Sequence, residues 1–176
     1  PDYPINARDG YADEPGTFML AGRISWSPDL ETVNGVIAID GSLVPQFGVL
    51  EQPVKIYMKN GVIDHVEGGA IAEQWEKYMR DFQHPQMLRP AHVCVGFHPN
   101  AKLTGQLGED ERIYGGSQWG FGAIGSFLMP PNGIPAPSHI DATCLRVSIY
   151  LDGVAITQDG EIVDEELKKY AARLGR

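Results

Sequence analysis

Two residues apart on one short segment, His139 and Asp141 in Ser138-His139-Ile140-Asp141 are the residues of this chain best suited to hold a divalent metal ion. On a strand, positions i and i+2 point to the same face, so an imidazole and a carboxylate stand side by side. The pair follows a proline-rich stretch and opens a run whose Ala142, Cys144 and Val147 lead into the interior. Ionisable groups at such a buried mouth need a partner. His98, at the exit of another apolar run, is the expected third ligand. Two histidines and one carboxylate, with positions left open, form the facial arrangement of non-haem Fe(II) sites. Zn(II) with an added water is the alternative occupant. Glu111, in the acidic triplet Glu109-Asp110-Glu111, is the candidate for proton transfer, although such a charge run also reads as a solvated loop. Of the other histidines, His65 and His84 read as surface residues, and His92, inside a strand, as a satisfied core histidine rather than a ligand.

These groups must be carried by a scaffold, and the patterning outlines one. Residues 1–15, rich in Pro, Asp and Gly, read as an irregular arm or linker, with a single α+β domain over 16–176. Thr17–Trp26 and Val33–Ile39 are β-type runs. Val54–Gly68 alternates apolar and polar residues on both sides of Asn60-Gly61, the dipeptide of a type I′ hairpin. From 70 to 82, Ile71, Trp75, Tyr78, Met79 and Phe82 recur at helical spacing, predicting an amphipathic helix that covers a sheet. Ala91–Phe97 reads as an apolar strand, and Thr104–Pro137 as loop on its glycine and proline content. Ser138–Tyr150 reads as a strand, followed by turns at Leu151-Asp152-Gly153 and Gln158-Asp159-Gly160. A short C-terminal helix follows, capped by Asp164, with Leu167, Tyr170, Ala171 and Leu174 facing inward and Gly175 ending it. The expected fold class is α+β: a mixed or antiparallel sheet with hairpins, covered by the helix at 70–82 and the short C-terminal one.

Bulk properties exclude several functions. The chain has 176 residues, 23 acidic and 14 basic, for a net charge of −9. That charge, with Lys and Arg scattered, argues against nucleic-acid binding. Cys94 and Cys144 lie in apolar runs and read as buried thiols, which fits a reducing cytoplasm. No run is long enough to predict a membrane span, and no leader is evident. The chain begins at Pro1, without methionine, and so reads as a fragment of a longer protein.

The motifs His98-Pro-Asn-Ala101, Gly108-Glu-Asp-Glu-Arg112, Gly115-Gly-Ser-Gln-Trp-Gly-Phe-Gly122, Ser138-His-Ile-Asp141 and Leu151-Asp-Gly153 resemble, over residues 50–165, the C-terminal half of a metalloprotein family. That family contains aminopeptidase T-like metallopeptidases and 2,5-dihydroxypyridine 5,6-dioxygenases. The resemblance implies that His139 and Asp141 bind metal. Peptidase members carry a histidine and extra carboxylates for two metals, whereas the Gly-rich strand here reads Ser117-Gln118-Trp119-Gly120, without one. The dioxygenase branch, with a single Fe(2+), is therefore the closer match.

It implies a ring-cleaving enzyme acting on a small hydroxylated N-heteroaromatic and O2, with Trp119, Phe121 and Phe127 available to stack on the ring. The alternatives are a metal-dependent aminopeptidase-like hydrolase and a non-catalytic metal-stabilised domain kept for homo-oligomer assembly.

Overall fold

A computed structural model describes residues 4–8, 15 and 21–175. The sequence reading of Thr17–Leu20 as part of a strand, and most of the reading of an irregular arm over 1–15, lie outside those residues. Within the arm, Asn6–Arg8 is not irregular: it forms strand β1 and pairs with Arg23–Ser25. The remaining strands are β2 (Arg23–Trp26), β3 (Gly35–Ile39), β4 (Ser42–Val44), β5 (Gly48–Val49), β6 (Val54–Lys59), β7 (Val62–Glu67), β8 (Pro90–Gly96), β9 (Ser117–Ile124), β10 (Ile134–Cys144), β11 (Ile149–Leu151), β12 (Val154–Gln158) and β13 (Glu161–Ile162). The helices are α1 (Gly69–Asp81), α2 (Leu107–Asp110) and α3 (Glu165–Ala171). The fold is α+β.

Three antiparallel sheets result: a seven-stranded one in the order β1-β2-β8-β9-β10-β4-β5, and two of three strands, β3-β6-β7 and β11-β12-β13. The β6–β7 hairpin turns at Asn60 and Gly61, both with positive φ (49° and 70°), as a type I′ turn requires. Gly61 is needed twice over, because a Cβ there would lie 1.7 Å from the Leu30 carbonyl oxygen.

The core lies between the small β3-β6-β7 sheet with α1 and one face of the large sheet. Ala72, Trp75 and Met79 of α1 are buried and pack with Ile39, Val54, Ile56, Phe121, Ile140 and Ala142. Trp75 meets Phe121 edge-on, ring centroids 5.6 Å apart at 77°.

The stretch 104–137 is not loop throughout, because β9 and the start of β10 lie within it. The glycines of β9 that suggested loop sit in the middle of the large sheet, flanked by β8 and β10. The C-terminal helix begins at Asp164, whose carboxylate accepts from the backbone N–H groups of Glu166 and Leu167. Its expected inward face is only partly realised. Ala171 is buried, while Leu167, Tyr170 and Leu174 are exposed, because α3 packs chiefly on the small β13 hairpin edge and not on the main core.

Trp75 closes the core under the large sheet, so Trp75→Ala should destabilise the protein by about 3–5 kcal/mol, as expected for loss of a fully buried aromatic. The denaturation midpoint should fall with an unchanged slope, and a shift under 1 kcal/mol would contradict this account of the core.

Candidate metal centre

Alternation along a strand gives the large sheet two different faces. Trp119, Phe121, Ile140, Ala142 and Cys144 point into or against the core. The intervening positions His92 and Cys94 of β8, Gln118 and Gly120 of β9, and His139, Asp141 and Thr143 of β10 therefore point the other way. On this second face, His92, His139 and Asp141 each offer one ligand atom, and all three atoms lie within 4.8 Å of one another. Among the described residues no other group of three His, Cys, Asp or Glu side chains meets that condition.

Sheet register brings the three together. His92 of β8 and Asp141 of β10 both pair with Gly120 on the strand between them, and His139 pairs with Gly122 two residues along. His92 Nε2 is 3.5 Å from Asp141 Oδ1, and His139 Nε2 is 3.4 Å from Asp141 Oδ2. The two imidazoles stack nearly parallel, 5.1 Å apart at 9°.

Asp141 is buried, and its Oδ1 has no hydrogen-bond partner. Burying such an oxygen without compensation is costly. His139 Nδ1 lies 2.7 Å from the Ala123 carbonyl oxygen. A carbonyl only accepts, so Nδ1 carries the proton and the neutral ring turns the lone pair of Nε2 toward the carboxylate. Two acceptors facing each other need a cation between them, either a proton or a metal ion. Burial lowers the pKa of His139, but its hydrogen bond with Asp141 and the Asp141 charge outweigh it, and the net shift is upward. Burial dominates at His92, which is pushed down to about 4 despite the attraction of Asp141, and so stays neutral and able to coordinate.

The residues singled out from sequence divide clearly. His139 and Asp141 stand together. His98 does not join them: it lies beyond the end of β8, where its Nδ1 accepts from the Asn100 backbone N–H at 3.2 Å and its own N–H donates to the Arg112 carbonyl. The four residues of strand from His92 to Gly96 alone carry the chain about 13 Å away at ~3.3 Å per residue. The histidine in the group is His92, the one taken from sequence for a core residue. Phase along the strand could have found it, since His92 and Cys94 share a parity and Cys94 is reached from the same face as Gln118.

The acidic triplet is not a solvated run. Glu109 and Asp110 tie down residues 102–105, accepting from the backbone N–H groups of Lys102 (Glu109) and of Thr104 and Gly105 (Asp110). Asp110 also accepts from Ser42 Oγ at 2.6 Å. Glu111 is buried and pairs with two guanidiniums, Arg23 at 3.1 Å and Arg112. Burial raises its pKa, and the two arginines pull it back only in part. Arg23, which no motif drew attention to, also donates to Ser25 Oγ at 2.8 Å and lies close enough to His92 to disfavour its protonation. The aromatic candidates do not line the site: Trp119 packs against the core, Phe121 is fully buried in it, and Phe127 is exposed beside Gly125.

The fold is thus an antiparallel α+β sheet that presents on one face two imidazoles and a carboxylate able to hold a metal ion. The chain belongs to the 2,5-dihydroxypyridine 5,6-dioxygenase (NicX) family, which matches over residues 1–164. It is 28% identical over 175 residues to the 2,5-dihydroxypyridine 5,6-dioxygenase of Pseudomonas putida KT2440, covering 93% of this chain and 50% of that protein. The structure of 2,5-dihydroxypyridine dioxygenase from the same organism superposes with a TM-score of 0.78 at 24% identity, over 93% of this chain and 50% of that one. AmpT from Thermus thermophilus shares the fold, with a TM-score of 0.66 at 16% identity over 93% of this chain and 48% of that one. The chain thus spans about half the length of the relatives it matches. Among its described residues no helix is long and apolar enough to cross a membrane.

Because Glu111 compensates the buried Arg112 guanidinium and the partly buried Arg23, Glu111→Ala should destabilise the protein by about 3–5 kcal/mol, the cost of stranding a buried charge. A denaturation series adding Arg23→Met to Glu111→Ala should recover part of that loss, and purely additive losses would show that the pair is not coupled.

Proposed function

We propose that this chain carries the iron-binding half-site of a mononuclear non-haem Fe(II) dioxygenase that cleaves the ring of a hydroxylated N-heteroaromatic such as 2,5-dihydroxypyridine. His92, His139 and Asp141 are the proposed ligands. The observation that carries the reading is the buried Asp141 carboxylate, whose Oδ1 has no hydrogen-bond partner and which faces two imidazole nitrogens across 3.4–3.5 Å. The donor set suits a ferrous ion: two neutral imidazoles and one carboxylate neutralise one of its two charges and leave coordination positions open. Zn(II) remains the alternative occupant. Family membership favours the dioxygenase over a hydrolase, and the named relatives supply the substrate class.

Ferrous iron, when bound, supplies a centre at which a chelating hydroxylated ring and O2 can meet. The chain's own residues set the conditions for it. The Ala123 carbonyl fixes the tautomer and ring orientation of His139 through Nδ1, as the outer partners of metal-bound histidines commonly do. Burial keeps His92 neutral. Glu111 is the candidate to hold and pass a proton, since burial lifts its pKa while Arg23 and Arg112 keep its carboxylate in place. The half of the protein that this chain does not span is expected to complete the substrate pocket.

Anaerobically purified full-length protein should contain one iron per chain by elemental analysis. His92→Ala, His139→Ala and Asp141→Ala should each lose it, while His98→Ala retains it. The loaded wild type should consume O2 when air is admitted to a mixture with 2,5-dihydroxypyridine. Hydrolysis of aminoacyl substrates without O2 uptake would instead identify a metallopeptidase, and unchanged metal content in the His92 variant would remove His92 from the ligand set.

A further inference from the structure

The strand at the middle of the site contributes no ligand, and the residue at its centre is Gly120. His92 and Asp141 pair with it from opposite sides, so their Cα atoms stand two strand spacings apart, about 9.5 Å. Side chains rise roughly perpendicular to a sheet, and groups on strands two apart are ordinarily separated by the side chain between them. Here His92 Nε2 nevertheless approaches Asp141 Oδ1 to 3.5 Å. The space this needs lies directly above Gly120. A Cβ at that position would fall 2.3 Å from His92 Nδ1, 2.4 Å from His92 Cε1 and 2.8 Å from His139 Cε1, all well inside van der Waals contact.

The backbone does not ask for glycine there. Positive φ marks Gly122 (93°) but not Gly120, so an L residue fits the local conformation, and the nearest atoms its Cβ would meet belong to the two imidazoles. Nor can the rings easily yield. His139 is tethered through Nδ1 to the Ala123 carbonyl, His92 is buried, and each ring blocks the other through their stacked contact.

We propose that Gly120 is the positioning residue of this site: its missing side chain lets the His92 and His139 rings lean over the central strand and converge on Asp141. Any larger residue splays them. The steric part of this inference concerns the chain alone, while its functional consequence rests on the metal-centre reading above.

The test compares Gly120→Ala, His92→Ala and the double variant in the full-length protein, using Co(II) alone as the metal and the metal-free forms for thermal unfolding. Gly120→Ala should weaken Co(II) binding by about 10–100-fold, the range found when groups that orient metal ligands are altered, and should change the visible Co(II) spectrum. In the metal-free protein, the fall in Tm caused by Gly120→Ala should largely disappear in the His92→Ala background, because the two closest atoms are gone. A folded Gly120→Ala protein with wild-type Co(II) affinity and spectrum overturns the proposal, as do strictly additive Tm losses. If Gly120→Ala does not fold, restored folding of the double variant supports the proposal and continued failure overturns it. Wild-type Co(II) binding by His92→Ala would sink the metal reading instead, leaving the unfolding comparison to judge the steric claim.

Discussion

The site depends on the placement of one carboxylate. Asp141 sits at 3% exposure near the middle of a seven-stranded sheet with one oxygen lacking any hydrogen bond. A buried, under-satisfied carboxylate costs several kcal/mol unless positive charge reaches it. The surroundings are arranged to receive such charge without supplying it permanently. Among the described residues the salt-bridge partners of Asp141 are two imidazoles, which can share a proton or a metal ion with it. The nearby fixed cation, Arg23, is already engaged by Glu111 and Ser25.

The sheet meets this demand by separating its two faces. β8 and β10 present His92, His139 and Asp141 on one side, while β9 and β10 present Trp119, Phe121, Ile140 and Ala142 on the other, where α1 and the β3-β6-β7 sheet bury them. Rigidity of the ligand positions therefore comes from packing on the opposite face, in the way that well-placed sites generally stand on stiff elements rather than on loops. It also explains why the aromatic residues of the Gly-rich segment do not reach the site. Trp119 and Phe121 flank Gly120 in sequence, and on a strand that adjacency puts them on the wrong side.

Much of this was legible in the sequence, and the failures have specific causes. The β6–β7 hairpin followed from Asn60-Gly61, the α1 span from its period to within a residue, and the β11–β13 turns from Asp152-Gly153 and Asp159-Gly160. His139 and Asp141 were readable because their partnership is local, two residues along one strand. The third member was not, because it arrives through register between β8 and β9, a non-local quantity that spacing along the chain does not encode. His98 attracted the reading by lying at a strand exit next to a turn, a position common for ligands, whereas His92 looked like an ordinary core residue. The Gly-rich stretch was misread for a related reason: glycine suggests a loop when local conformation is the only guide, but Gly120 serves a neighbour's side chain rather than its own backbone.

Glu111 shows how the charged surroundings are kept compatible with the site. A buried carboxylate near Asp141 adds negative charge to the region: Asp141 contributes to the rise of the Glu111 pKa, and Glu111 contributes to the rise at His139. Glu111 is held by Arg23 and Arg112, whose charges oppose the burial that raises its pKa. Arg23 further disfavours a proton on His92. At His139, by contrast, Asp141 and Glu111 raise the pKa, so the two imidazoles differ in how readily each would give up a proton to a metal ion.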